Sequence, residues 1–241
     1  MDPKELERYS RQIEIPGWGE EGQGKLKAAT VCVAGAGGLG SPACLYLAAA
    51  GVGKLVVVDR DRVELSNLNR QILHTTARIG QGKSDSAARA VGELNPEVEV
   101  VPMEADINAT TLDRVAMNAD ILLDCLDDFP SRFVLNRYAL RMRVPMVHGA
   151  VSGMEGRLLY VRPRETACLR CVFREGPSRG SFPVLGAVPG VMGALQALEA
   201  LKYLTGIGGK QGGSMLIFNG AAGEFRRMTV ARDPECPDCG G

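Results

Sequence analysis

From Thr30 to about Ala150, runs of apolar and β-branched residues alternate with segments of helical period. "TVCVAG" (30–35), "KLVVVD" (54–59), "VEVVPM" (98–103), "ADILLDC" (119–125) and "VPMVHGAV" (144–151) read as buried strands. Between them, "GSPACLYLAAAG" (40–51), "KSDSAARAVGELN" (83–95), "TLDRVAM" (111–117) and "SRFVLNRYALRM" (131–142) read as helices. The first is built of small residues for close packing on the sheet, and the second ends at Asn95-Pro96. Such alternation predicts a parallel sheet with helices on both faces. The pattern then changes. "GRLLYVRP" (156–163) is a strand that follows its predecessor with no room for a crossover helix. After a loop, "GVMGALQALEALKYLTG" (190–206) is an amphipathic helix, and "SMLIFNG" (214–220) with "EFRRMTVAR" (224–232) reads as a hairpin. The expected fold is a Rossmann-like α/β domain whose parallel sheet is extended by antiparallel C-terminal strands. One continuous domain is expected over 1–241, with a nucleotide-binding part at 28–150 and an antiparallel part at 151–241.

Composition narrows the function classes. The chain has 241 residues, equal numbers of acidic and basic residues and no net formal charge, which argues against a general nucleic-acid binder. No apolar run approaches the roughly 18 residues of a membrane span. The first fifteen residues are charged and polar rather than signal-like. A cytoplasmic setting is expected, with reduced or metal-bound cysteines.

The candidate chemistry starts at "GAGGLG", where Gly35, Gly37, Gly38 and Gly40 follow the first strand and open a helix. Glycines there permit a tight turn and close approach to phosphate, and the helix offers its positive N-terminus. Asp59 ends the second strand, 19 residues after Gly40, where a carboxylate binds ribose hydroxyls. An NAD-dependent oxidoreductase shares these features. The next segment favours ATP: Asn67, Arg70 and Gln71 lie just past Asp59, and Lys83 opens the next helix. Two cations suit a triphosphate, whereas nicotinamide wants an apolar slot. Solvated basic side chains are the plain alternative. Asp124, Asp127 and Asp128 sit at the end of the fourth strand, the edge where such sheets bind ligands. Asp128 and Ser131 suit a helix cap, which leaves Asp127 for Mg²⁺.

Cys168 and Cys171 form one C-x-x-C pair, and Cys236 and Cys239 another, with 64 residues between the pairs. Four thiolates in two such pairs fit a tetrahedral structural Zn²⁺ that clips the C-terminal tail to the middle of the chain. Redox pairs are the alternative, although neither pair adjoins a βαβ unit. Cys32, Cys44 and Cys125 read as core residues. His74 and His148 are given no catalytic role, and His148 is expected to end the fifth strand.

In order along the chain, "RYSRQI", "GAGGLGS", "VVVDRDRVELSNLNRQ", "GQGKS", "LLDCLDD" and the two C-x-x-C pairs resemble the E1-like adenylyltransferases of the MoeB, ThiF and HesA group. The resemblance covers nearly the whole chain, and "SNLNRQ" is its most specific part. It implies ATP-dependent adenylation of the C-terminal glycine of a small ubiquitin-like sulfur carrier ending in Gly-Gly, with release of pyrophosphate. By position, Gly35, Gly37, Gly38 and Gly40 surround the nucleotide, Asp59 binds ribose with Asp61 nearby, and Asn67, Arg70 and Lys83 hold phosphates. Asp127 is the Mg²⁺-linked carboxylate. Arg11 matches an arginine that reaches the ATP of a partner subunit, implying a homodimer. Several family members carry a cysteine in the loop after the first zinc pair. Here "VFREGPSRGSFPVLGAVPGVMG" (172–193) has none, so adenylation without a covalent enzyme–carrier link is expected, with sulfur supplied by a separate protein. The same composition suits a mobile crossover loop. The molybdopterin, thiamine, tungsten-cofactor and cysteine routes stay open, with a lean toward the first. A non-catalytic subunit that only docks a carrier is the remaining alternative.

Overall fold

The computed structural model describes residues 1–116, 118–176, 183–208 and 212–240. Its first five strands are β1 (Thr30–Ala34), β2 (Lys54–Val58), β3 (Glu99–Met103), β4 (Ile121–Asp124) and β5 (Met146–Ser152). They pair in parallel. Then β6 (Glu155–Val161), β7 (Ser214–Asn219) and β8 (Glu224–Thr229) continue the same sheet in antiparallel register. The order β3-β2-β1-β4-β5-β6-β7-β8 makes one eight-stranded sheet. The mixed sheet is the one expected, and the two-residue β5–β6 link explains the change of direction, since it is too short for a crossover.

Alternation along β1 shows why both faces are covered. Val31 and Val33 face one apolar cluster, Cys32 and Ala34 the other. The first cluster is closed by α2 (Gly19–Ala28), α3 (Gly40–Ala50), α4 (Lys83–Leu94) and α8 (Ala187–Thr205), through Leu26, Leu47, Val91 and Met192. The second is closed by α5 (Ala109–Val115), α6 (Phe129–Met142) and the short α7 (Leu169–Val172), through Leu112, Leu135 and Leu169. Cys32, Cys44 and Cys125 are buried, and burial alone pushes the Cys32 and Cys44 thiols up to about 12, so they are inert core residues.

The N-terminal segment, read from sequence only as charged and polar, is helical. α1 (Pro3–Ile13) starts at a reciprocal cap in which Asp2 accepts from the Glu5 amide and Glu5 from the Asp2 amide. Tyr9 anchors it: its hydroxyl accepts from Asn95 Nδ2 at 2.9 Å, beyond the end of α4. Gln12 Nε2 donates to the Ala50 carbonyl at the C-terminus of α3. α1 therefore lies at the far end of α3 from the glycine loop.

The order of strands sets the site. From β1 the chain crosses to β2 and β3 on one side, and then returns to β4 on the other. The crevice above β1 and β4 is the place where such sheets take ligands.

Candidate functional site

Two loops meet at that crevice. After β1, Gly35 has a positive φ of 98°, and a Cβ on it would lie 2.6 Å from the Cys125 carbonyl oxygen. A Cβ on Gly40 would lie 1.9 Å from the Gly35 carbonyl oxygen. Only glycine satisfies both positions. The same approach sets the β1 loop against the β4 loop that carries Asp127. Gly37 is different, because its nearest neighbour is the Gln71 amide at 3.7 Å from a built Cβ. Its bareness is not demanded by packing.

Asp59 is half-buried at the end of β2. One carboxylate oxygen accepts from the Ala36 amide at 2.8 Å, the other from the Asp61 amide at 2.8 Å. Burial raises its pKa, offset in part by Lys83 and these amide bonds. Free lone pairs remain on both oxygens for ligand hydroxyls. Lys83, in the first turn of α4, is 8 % exposed and its Nζ lies 2.9 Å from Asp61 Oδ2, which is 55 % exposed. Asp61 thus neutralises Lys83. Arg70 donates to the Ser66 carbonyl and the Asn69 side chain. It has no carboxylate partner among the described residues, and its stem lies beside Gly38. Asn67 is buried and caps its own turn, accepting from the Glu64 amide. Ser41 Oγ and Gln71 Oε1 are buried without partners beside the glycine loop. Orphaned polar atoms beside a cradle of backbone amides fit a polar, phosphate-bearing ligand.

Asp127 is exposed and has no hydrogen-bond or ion-pair partner among the described residues. Asp128 is the expected cap of α6, accepting from the Ser131 amide at 2.9 Å. Asp124, by contrast, is fully buried and holds His148 Nδ1 at 2.6 Å. His148 does not end β5 but stands third in it, opposite Asp124 in the register. Extended pairing carries β5 four residues further, to Ser152. Burial lowers the pKa of His148, and its Nε2 has no partner.

His74 is a contributor that sequence reasoning passed over. Burial lowers its pKa, so the ring is neutral. Its Nε2 lies 2.9 Å from the Ala36 carbonyl, which only accepts, so Nε2 carries the proton. Nδ1 then accepts from Ser86 Oγ. Asp59 and His74 together pin Ala36 in the middle of the glycine loop at both backbone atoms. Arg11 sits on α1. With α3 about 16 Å long between α1 and the glycine loop, Arg11 is a helix length away from its own crevice.

The four paired cysteines converge as expected. The sulfurs of Cys168, Cys171, Cys236 and Cys239 lie within 4.8 Å of one another. Sγ–Sγ separations are 3.6 Å for Cys168–Cys236, 3.8 Å for Cys171–Cys168 and 3.4 Å for Cys171–Cys239. Disulfide bonding is absent, and the cluster is able to hold a metal ion. Buried Asn136 of α6 ties both pairs together: its Oδ1 accepts from the Leu169 amide, and its Nδ2 donates to Asp238. Of the crossover segment 172–193, residues 177–182 lie outside the described residues.

A family model described as the ThiF family matches residues 9–238. The chain belongs to the ThiF family. Among curated relatives of this ThiF-family chain, the SAMP-activating enzyme E1 of Haloferax volcanii is 42% identical, over 100% of this chain and 91% of its own. The sulfur carrier protein adenylyltransferase of Thermus thermophilus is 40% identical over 98% and 92%. Among solved structures, E. coli MccB with ATP superposes with a TM-score of 0.87 at 25% identity, covering 97% of this chain and 74% of that one. No described helix is long and apolar enough to cross a membrane.

Proposed function

We propose that this ThiF-family chain is an adenylyltransferase that uses ATP to activate the C-terminal glycine of a small ubiquitin-like sulfur carrier. The observation that carries the reading is the convergence of the pinned glycine loop, Asp59, Arg70 and the unpartnered Asp127 at one crevice. Relatives named for sulfur-carrier adenylylation and SAMP activation supply the substrate class.

In this reading Asp59 accepts from the ribose hydroxyls. The glycine-loop amides and the N-terminus of α3 face the phosphates, with Arg70 neutralising their charge and Lys83 joining it by exchanging the exposed Asp61 carboxylate for a phosphate oxygen. The carrier's terminal carboxylate attacks the α-phosphorus; the bond to the β-phosphate bridging oxygen breaks, and pyrophosphate leaves. The chain supplies orientation and charge rather than covalent chemistry. An exposed carboxylate beside the phosphates suits Mg²⁺, which would offset charge on the leaving pyrophosphate, and Asp127 would hold it. The cysteine cluster suits Zn²⁺, since Zn–S bonds of about 2.3 Å in a tetrahedron put sulfurs about 3.8 Å apart. Arg11, far from its own crevice, serves the site of a second copy, so the working unit is a homodimer. Sulfur comes from a separate donor protein, because no cysteine stands in the 172–193 segment.

The test is release of pyrophosphate from ATP in the presence of a carrier ending in Gly-Gly. Release that depends on the terminal glycine of the carrier supports the reading. Release that is indifferent to that glycine contradicts it.

A further inference from the structure

Asp127 is exposed and unpartnered among the described residues, yet both its neighbours are fixed. The Asp128 side chain caps α6. Leu126 is held at both backbone groups: its amide donates to buried Asp124 Oδ1 at 3.2 Å, and its carbonyl accepts from Arg132 Nε at 3.2 Å and also from Nη2. Arg132 is the fourth residue of α6, at the end of its first turn, with its side chain only 6% exposed. Its guanidinium covers the Phe129 ring at 5.2 Å, and its Nε is 4.0 Å from Asp124 Oδ1. Asp124 is anchored below by His148 Nδ1, and its carbonyl accepts from Gln196 Nε2 of α8 at 2.9 Å. A buried guanidinium offset by one buried carboxylate is costly to assemble, and its hydrogen bonds converge on a single residue. That residue adjoins Asp127, an exposed carboxylate with no partner among the described residues.

We propose that Arg132 is the positioning residue for Asp127, anchored by the buried Asp124–His148 pair. The inference rests on the adenylation reading and deepens it. With its side chain buried, Arg132 acts through the loop rather than on ATP or carrier. It fixes the backbone of the 125–128 loop, so that Asp127 faces the phosphates without searching for its place.

Arg132→Lys tests this, because lysine keeps the charge but loses the two-pronged grip on the Leu126 carbonyl. The turnover number for carrier-dependent pyrophosphate release is expected to fall about tenfold or more, with the KM for ATP within about threefold of wild type. In an Asp127→Asn background, the same change is expected to alter the rate by less than about twofold, since the group it positions is gone. A near-wild-type Arg132→Lys enzyme overturns the proposal, as does a full effect that persists in the Asp127→Asn background. Hydrogen–deuterium exchange gives a readout without turnover: the Leu126 amide exchanges faster in Arg132→Lys, and unchanged protection overturns the proposal. Asp124→Asn, which grips the loop from the other side, is expected to show the same loss of turnover at unchanged KM, and serves if the lysine variant does not fold. Wild-type enzyme inactive with every Gly-Gly carrier overturns the adenylation reading instead, and the exchange experiment then still judges the loop.

Discussion

The glycine loop holds two kinds of glycine, and they fail differently. A methyl group at Gly40 meets the Gly35 carbonyl oxygen at 1.9 Å, so Gly40→Ala must shift backbone. It is expected to lower stability by about 2 kcal/mol or more, read as a shifted urea midpoint. Gly37→Ala meets nothing closer than 3.7 Å, so it is expected to fold normally and to lose ATP binding in calorimetric titration. Normal ATP affinity in Gly37→Ala would contradict a nucleotide seated on that loop. The two histidines set a pH response. Both are lowered below their usual value by burial, His148 despite Asp124 and with Arg132 and Arg157 against protonation, His74 with Lys83 and Arg78 against it. The unfolded chain takes up protons near pH 6.5 while the folded one stays neutral, so stability is full above that pH and falls as pH drops toward the folded pKa values. Two groups give a slope of up to about 2.7 kcal/mol per pH unit in that window, measurable as urea midpoints between pH 7 and 5. His148→Gln is expected to reduce it to the His74 contribution, about half, and an unchanged slope would contradict the assignment.

Helix α6 joins two functions at the level of elements. Its N-terminus carries the Asp128 cap beside Asp127, and its middle presents Asn136 to both cysteine pairs. Asn136→Ala leaves the Leu169 amide and Asp238 without their partner. It is expected to cost about 2–4 kcal/mol and to speed metal loss to a chelator, followed by elemental analysis. Chelation of the wild-type chain is expected to lower the melting temperature on the order of 10 °C; a melting curve indifferent to chelator would contradict a structural metal. The elements themselves were largely readable, because β-branched runs and helical periods repeat from 30 to 142 and the cap at Asp128 is local chemistry. The first helix was passed over although its Asp2–Glu5 cap is local: it is mostly charged, only Glu5 and Tyr9 are buried, and the contacts of Tyr9 and Gln12 that seat it are tertiary. At the site, Asp59, Arg70 and Lys83 follow from spacing along single elements. His74 and Arg132 do not: His74 acts on Ala36, 38 residues away, and Arg132 meets Leu126 and Asp124 only because the turn from β4 into α6 folds its side chain back over them, with Asp124 held in turn by His148 of β5.

The whole molecule places Arg11 and the glycine loop at opposite ends of α3, so one chain alone leaves Arg11 without a role in catalysis. Mixing inactive Arg11→Ala with inactive Asp127→Asn subunits is expected to restore about a quarter of wild-type activity, because half of randomly paired dimers then hold one complete site. No recovery after subunit exchange would contradict a shared site. The continuous sheet serves the same end: its parallel half builds the crevice, and its antiparallel half leads the chain from β6 through the cysteine clip. Adenylation by this chain turns on the reaction at Asp127. Its most direct test is carrier-dependent ATP–pyrophosphate exchange, run with a panel of small proteins ending in Gly-Gly and with Asp127→Asn as control. The expected result is exchange with one carrier, reduced roughly 100-fold or more in the variant. Tight ATP binding without exchange by any carrier would contradict it and leave a subunit that binds nucleotide without activating a substrate.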